Sequence, residues 1–183
     1  MIRLGAPLLA VALLVSGCGG SKSRVDVVGE GEEPGAPREA AVKLPAYPKE
    51  QELLPFKVQP QTALEYFVDR TSVSVYNDGV DAIVRFTVVA RSAQAENVSY
   101  EGFRCIERER KVYAYGRRDG TWLPVKDSGW LPLGPRVTAG FRHELFWNYF
   151  CPKRRAITSS RQGVDALRLG GHPDSEPAGT MTD

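Results

Sequence analysis

The sequence predicts an α+β domain: a twisted antiparallel sheet of about five to six strands with one C-terminal helix packed on it. Three observations lead there. Between Thr71 and Val125, β-branched and aromatic residues come in short runs separated by turn dipeptides. Between Arg142 and Phe150 the apolar spacing lengthens to that of a helix. Cys105 and Cys151 end a strand and that helix, so a bond between them would clamp one to the other.

Each element follows from its residues. Leu44 to Val58 mixes several prolines with Tyr47, Leu53, Leu54 and Phe56. Such a stretch cannot be regular throughout, and it reads as an extended arm across the domain with a short turn near Lys49 to Leu53. Thr71 to Tyr76 alternates Val73 and Val75 with serines, Asn77-Asp78-Gly79 signals a tight turn, and Ala82 to Ala90 is β-branched and aromatic: one hairpin. Val98 to Arg104 and Lys111 to Gly116 read as further strands, Asp119-Gly120 as a turn, and Thr121 to Val125 as the return strand. Trp130 lies in a short edge segment interrupted by Pro132 and Pro135. His143, Phe146, Trp147 and Phe150 fall at i, i+3, i+4 and i+7 and share one expected helix face. The domain is expected over residues 44–170, with 171–183 a frayed, disordered tail.

Composition agrees with one ordinary globular core. The chain has 183 residues, 42% hydrophobic and 25% charged, and its 18 glycines and 13 prolines show no period, which removes repeat and collagen-like architectures. A net charge of +2 gives no nucleic-acid footprint.

The amino terminus is more specific. Arg3, an unbroken apolar stretch from Ala6 to Val15 and then small residues make up the grammar of a secretory signal over residues 1–17. Crossing a bilayer takes about 20 apolar residues, so the stretch is not a span. Val15-Ser16-Gly17-Cys18 looks like the lipobox of bacterial lipoproteins, whose cysteine receives the lipid; the alternative is an ordinary cleaved signal with an incidental cysteine. Two or three acyl chains on Cys18 would anchor the chain durably. By resemblance to other lipoproteins, Gly19 points to the outer membrane, lipid-anchored on its periplasmic face. Residues 18–43 are Gly-, Pro-, Ser- and Glu-rich without an aromatic residue, and read as a flexible tether with plainly solvated charges.

With Cys18 used for lipid, Cys105 and Cys151 remain, and an even remainder in an oxidising compartment implies one disulfide. A redox or nucleophilic cysteine is the alternative, but there is no C-x-x-C pair.

Motifs that would carry chemistry are mostly missing. His143-Glu144 begins H-E-x-x-H, yet Trp147 stands where the second zinc ligand belongs, and His172 sits in the tail, so no metal site is expected. G-x-S-x-G, Walker A, S-x-x-K and G-x-G-x-x-G patterns do not occur, and no catalytic residue or cofactor is assigned. Asn97 reads as a turn residue. The mixed charges Arg104, Glu107, Arg108, Glu109, Arg110 and Lys111 read as a solvated strand pair or loop, and Arg117 and Arg118 as exposed. Trp122, Trp130, Trp147, Tyr100, Tyr113 and Tyr115 are expected as core, with a stacking platform for sugar rings as the alternative. Glu101 could pair with Glu107 or Glu109 for glycosidic hydrolysis.

The functional expectation is a non-enzymatic module that binds an envelope protein or peptidoglycan, through an edge strand or a face carrying Tyr100, Glu101 and Arg104. The alternative is a hydrolase or lyase acting on peptidoglycan, with Glu101 or His143 as acid/base.

Several strings resemble a known family. They are Leu-Pro-Ala-Tyr-Pro (44–48), Leu-Pro-Phe (54–56), Tyr-Phe-Val-Asp-Arg-Thr-Ser-Val-Ser-Val (66–75), Asp-Gly-Val (78–80), Val-Arg-Phe-Thr-Val-Val (84–89), Asn-Val-Ser-Tyr-Glu-Gly-Phe-Arg-Cys (97–105) and Phe-Cys-Pro (150–152). Together they resemble the CNP-like family, proteobacterial lipoproteins named for a neisserial member. The resemblance covers about Leu44 to Pro152. It implies an envelope location and a two-cysteine domain, and brings no reaction and no catalytic residue with it.

Overall fold

In the computed structural model, residues 39, 42–59, 63–77, 82–134 and 140–175 are described. The signal, Cys18, nearly all of the expected tether, the Asp78-Gly79 turn and the tail past Ser175 lie outside them. All described residues belong to the unit Pro37–Asp183.

The chain builds an antiparallel meander in sequence order: β1 (Leu53–Phe56), β2 (Glu65–Asn77), β3 (Ala82–Arg91), β4 (Glu96–Arg104), β5 (Glu109–Gly116) and β6 (Trp122–Pro124). β7 (Leu131–Pro132) pairs with the start of β5. Helical segments complete an α+β fold. The expected hairpin is present as β2–β3, with Tyr76 opposite Ile83 and Val75 opposite Val84. The expected turn near Lys49 to Leu53 is a 3-10 turn at Glu50–Glu52. The arm then does more than lie across the domain: Leu53–Phe56 forms β1, with Pro55 opposite Phe67. Proline is tolerated there because β1 is the sheet's outermost strand, where an amide is not needed on the open side.

β2 is bulged. Between the pairs Asp69–Thr87 and Ser74–Arg85, four residues of β2 face one of β3. Side chains close the gap. The Asp69 carboxylate accepts from the Thr71 N–H (2.9 Å), and Ser72 Oγ donates to the Asp69 carbonyl (2.8 Å) while accepting from the Thr87 N–H (2.7 Å). The serine hydroxyl thus stands in for a backbone group of the interrupted ladder.

One sheet face carries the main core. Phe56, Tyr66, Val68, Val84, Phe86, Val88 and Phe103 pack against Leu145, Phe146, Tyr149, Phe150, Ile157, Ala166 and Leu167. The helix expected at Arg142–Phe150 is present in two parts, α1 (Phe141–Glu144) running into a π-helical stretch, Leu145–Phe150. Its inward face differs from the expected one. Leu145, Phe146, Tyr149 and Phe150 are buried, whereas His143 and Trp147 are only half-buried.

A second helix corrects the expectation of one. α2 (Ser160–Leu169) starts on Ser159, whose Oγ accepts from the Gln162 N–H (3.3 Å), while Gln162 Oε1 accepts from the Thr158 N–H (2.7 Å). It ends on Gly170, left-handed at φ 78°. Within the expected tail, residues 171–175 are held against the domain. His172 is 6% exposed, its N–H donates to the Asn148 carbonyl (2.6 Å), and its Nδ1 accepts from the Asp174 N–H (3.1 Å). These contacts continue the fold through Ser175.

Cys105, just past β4, is bonded to Cys151, just past the π-helical stretch, 46 residues on. The expected clamp of helix to sheet is present. Beside it Arg154 donates to the Ile106 carbonyl, tying the chain after Cys151 to the β4–β5 turn.

Candidate functional site on the arm-covered face

The opposite face of the sheet is covered by the N-terminal arm. Alternation along β4 sends Ser99, Glu101 and Phe103 toward the helices and Val98, Tyr100, Gly102 and Arg104 toward the arm. The expected interaction surface of Tyr100, Glu101 and Arg104 is therefore split between two faces, and most of it is interior. Tyr100 is 4% exposed, packed with Tyr113 and Trp122, and Glu101 is 0% exposed.

Glu101 is held from two sides. Arg142 Nε and one terminal nitrogen donate to its two oxygens at 2.6 and 2.7 Å, and Ser99 Oγ donates at 2.6 Å. The fork-on-carboxylate geometry satisfies a buried charge. A general acid/base needs a free oxygen facing substrate, and these oxygens are committed. His143 lies elsewhere, on a groove of about 250 Å³ that it shares with Arg110, Phe141 and Arg142.

The arm-covered face holds a different polar centre. Arg85 on β3, Gly102 on β4 and Lys111 on β5 are directly opposite one another in one row. A bulge between the Tyr100–Ala114 and Glu101–Val112 pairs leaves Tyr113 without a partner and turns its ring to the same face. Tyr113 lies over Gly102: a Cβ there would meet the phenolic oxygen at 2.8 Å, so only glycine leaves the ring its place.

Onto this row comes one carboxylate. Glu39 accepts from Arg85 Nε (3.1 Å) and a terminal Arg85 nitrogen (2.8 Å) on Oε1, from Lys111 Nζ (3.2 Å) on Oε2, and from the Tyr113 hydroxyl. Its side chain is 9% exposed and that of Arg85 11%. Burial works against the Arg85 charge, but contacts with Tyr113 and Glu39 outweigh it and its pKa is raised. Burial first, and then the Glu39 carboxylate, push the Tyr113 phenol far above its ordinary range, which keeps it protonated and donating.

Aromatic rings frame the row. The Arg85 guanidinium lies over Tyr76 (5.2 Å) and Tyr113 (5.5 Å), and Trp130 takes Arg104 (4.3 Å) and Lys111 (5.6 Å) on its ring. Arg104 and Lys111 are thus not the plainly solvated charges expected of that cluster; Glu107 and Arg108, at the turn, are exposed. A groove of about 390 Å³ leads from Lys111 and Tyr113 past Val42, Leu44, Pro124 and Val125.

Further along, the arm is latched near β6. The Tyr47 hydroxyl donates to the Arg117 carbonyl (3.0 Å), Trp122 Nε1 donates to the Pro45 carbonyl (2.9 Å), and the Tyr47 and Trp122 rings pack at 5.3 Å. Of the six aromatics expected as core, Tyr100 and Tyr113 are buried, Trp122, Trp130 and Trp147 are half-buried, and Tyr115 is exposed.

Sequence reasoning missed Glu39, Arg85, Lys111 and Tyr113. Glu39 falls in the stretch that reads as a solvated tether, yet its ion pairs with Arg85 and Lys111 join it to the unit that starts at Pro37. Two signals are present: an arginine inside the β-branched and aromatic run Ile83 to Ala90, and a glycine inside a strand at Gly102, which marks close approach.

These features define a class of architecture: an antiparallel meander closed on one side by helices through a disulfide, and on the other by its own N-terminal arm through a carboxylate clamp. The model of the CNP1-like family matches residues 33–168, a span that takes in Glu39 and nearly all of α2, and the chain belongs to that family. No curated protein and no solved structure matches the chain. Among the described residues no helix is long and apolar enough to cross a membrane.

Proposed function

We propose that this protein is a lipid-anchored lipoprotein of the outer membrane, facing the periplasm, whose domain binds another envelope component, protein or peptidoglycan, without transforming it. The anchoring half rests on Val15-Ser16-Gly17-Cys18 behind an apolar segment too short to span. A disulfide at Cys105–Cys151 suits an oxidising compartment.

One observation carries the binding half. Arg85, Lys111 and Tyr113 are set in a row on rigid strands and aim their donors at a single point, the arrangement that recognises an anion rather than one that moves protons. The hydrolase or lyase reading loses Glu101 as its acid, because both Glu101 oxygens are engaged inside the core, and would rest on His143.

Two measurements test the two halves. Radiolabelled palmitate should enter the wild type and not Cys18→Ala; equal labelling removes the anchor. Crosslinking in cells followed by mass spectrometry should return a reproducible envelope neighbour, weakened by Arg85→Gln. Muropeptide changes abolished by Glu101→Gln or His143→Ala would favour the enzyme instead.

A further inference from the structure

The geometry points to the Arg85–Lys111–Tyr113 cradle as a carboxylate-binding site whose present occupant, Glu39 of the same chain, is a built-in competitor for an external carboxylate ligand. The inference rests on the binding reading above and names the chemistry and regulation of that site.

Cradle and occupant belong to different parts of the chain. Every cradle group stands on the sheet: Arg85 in the middle of β3, Lys111 and Tyr113 on β5, with Gly102 between them on β4. Their backbones are fixed by strand pairing, and the cluster that includes Tyr113 also packs against Val42 and Leu44 of the arm. Two backbone features, the bulge at Tyr113 and the glycine beneath its ring, place one hydroxyl at the centre of the row. The occupant arrives on a segment without regular structure, since Val42–Lys49 belongs to no helix or strand.

The donors also outnumber what one side chain needs. Two cations and a phenol meet a single carboxylate, which leaves one positive charge in excess at the cradle. The arm has its own hold at Tyr47, Pro45 and Trp122 on β6, independent of Glu39. Glu39 can therefore leave the cradle while the arm stays latched, and the groove past Val42 and Leu44 then opens onto an unoccupied row of donors. The anion seen there is a carboxylate, which takes both Arg85 donors on Oε1 and Lys111 on Oε2.

Competition in cis has a measurable signature. An occupant on a short linker has an effective concentration on the order of mM, so the wild type should bind external carboxylates weakly. Glu39→Gln keeps the shape of the occupant and removes its charge. In the full-length chain in detergent, titrated with glutarate and followed by isothermal titration calorimetry, Glu39→Gln should bind at least about tenfold more tightly than the wild type. Adding Arg85→Gln or Lys111→Gln to Glu39→Gln should abolish the gain, with melting curves reporting which of the two remains folded.

Equal affinity in wild type and Glu39→Gln, no saturable binding in Glu39→Gln, or binding indifferent to both cradle substitutions overturns the proposal. Inorganic phosphate binding more tightly than glutarate overturns the carboxylate assignment. If glutarate behaves as stated while crosslinking finds no envelope neighbour, the cradle stands and the envelope-binding reading falls; the reverse outcome removes only the cradle.

Discussion

Arg142 and Glu101 are the pair whose separation would damage the fold most. Glu101 is fully enclosed and depends on Arg142 for two of its hydrogen bonds, so Arg142→Met leaves a buried charge uncompensated and should cost about 3 to 5 kcal/mol in urea unfolding. The double substitution Glu101→Leu with Arg142→Met should recover most of that loss, since apolar replacement of a buried ion pair is close to neutral. In the sequence Glu101 reads as an exposed polar residue flanked by tyrosine and glycine. Nothing in its neighbours signals burial, because the compensating cation lies 41 residues away on another element. Charge pairs of that separation are set by the fold and are invisible to local pattern. Gly102 is the opposite case, a residue whose local oddity was readable but whose cause, the Tyr113 ring, needed the structure.

Strands were far more legible than helices. β2 to β5 each appear in the sequence as runs of valine and aromatic residues between turns, because both faces of this sheet are covered and its residues must be apolar or paired whichever way they point. The two helical misreadings have separate causes. The stretch Leu145–Phe150 buries an i, i+1, i+4, i+5 face, which competes with the expected one because nearly every residue between Leu145 and Phe150 is apolar or aromatic. α2 has a low apolar content, and its signals are an amphipathic spacing of Gly163, Val164, Ala166 and Leu167 together with its ends, Ser159 with Gln162 at the start and Gly170 at the finish. Its packing is tight where it crosses the sheet. A Cβ at Gly163 would lie 2.6 Å from Ile157 Cδ1 and 3.1 Å from Val73 Cγ1, so Gly163→Ala should destabilise by about 1 to 3 kcal/mol in urea unfolding despite alanine's higher helix propensity. Gly170→Ala, with no atom near its absent side chain but a left-handed φ, should cost about 1 kcal/mol through backbone strain alone.

At the scale of the molecule, the disulfide and the buried phenols govern how the fold responds to its surroundings. Cys105–Cys151 closes a loop of 46 residues, and in the chain-entropy model its removal by Cys105→Ala with Cys151→Ala should cost about 4 kcal/mol, read as a lower denaturation midpoint. Tyr47, Tyr100, Tyr113 and Tyr149 all have pKa values raised above the ordinary 10.0, each first by burial. The folded state thus favours the protonated phenol, and the unfolded chain loses those protons at lower pH. Stability from these four is complete below about pH 10 and declines as pH rises above it toward the folded values. Absorbance at alkaline pH should show a late tyrosinate stage coincident with unfolding; ionisation of these four rings without loss of structure would contradict the raised values. Pro55 has a consequence of another kind. The outermost strand of this meander has only four residues, and one of them has no amide hydrogen, so its open rim offers an incomplete template to any additional strand. At that border the protein is guarded against stacking into fibrils, and concentrated samples should scatter as discrete particles rather than grow lengthwise.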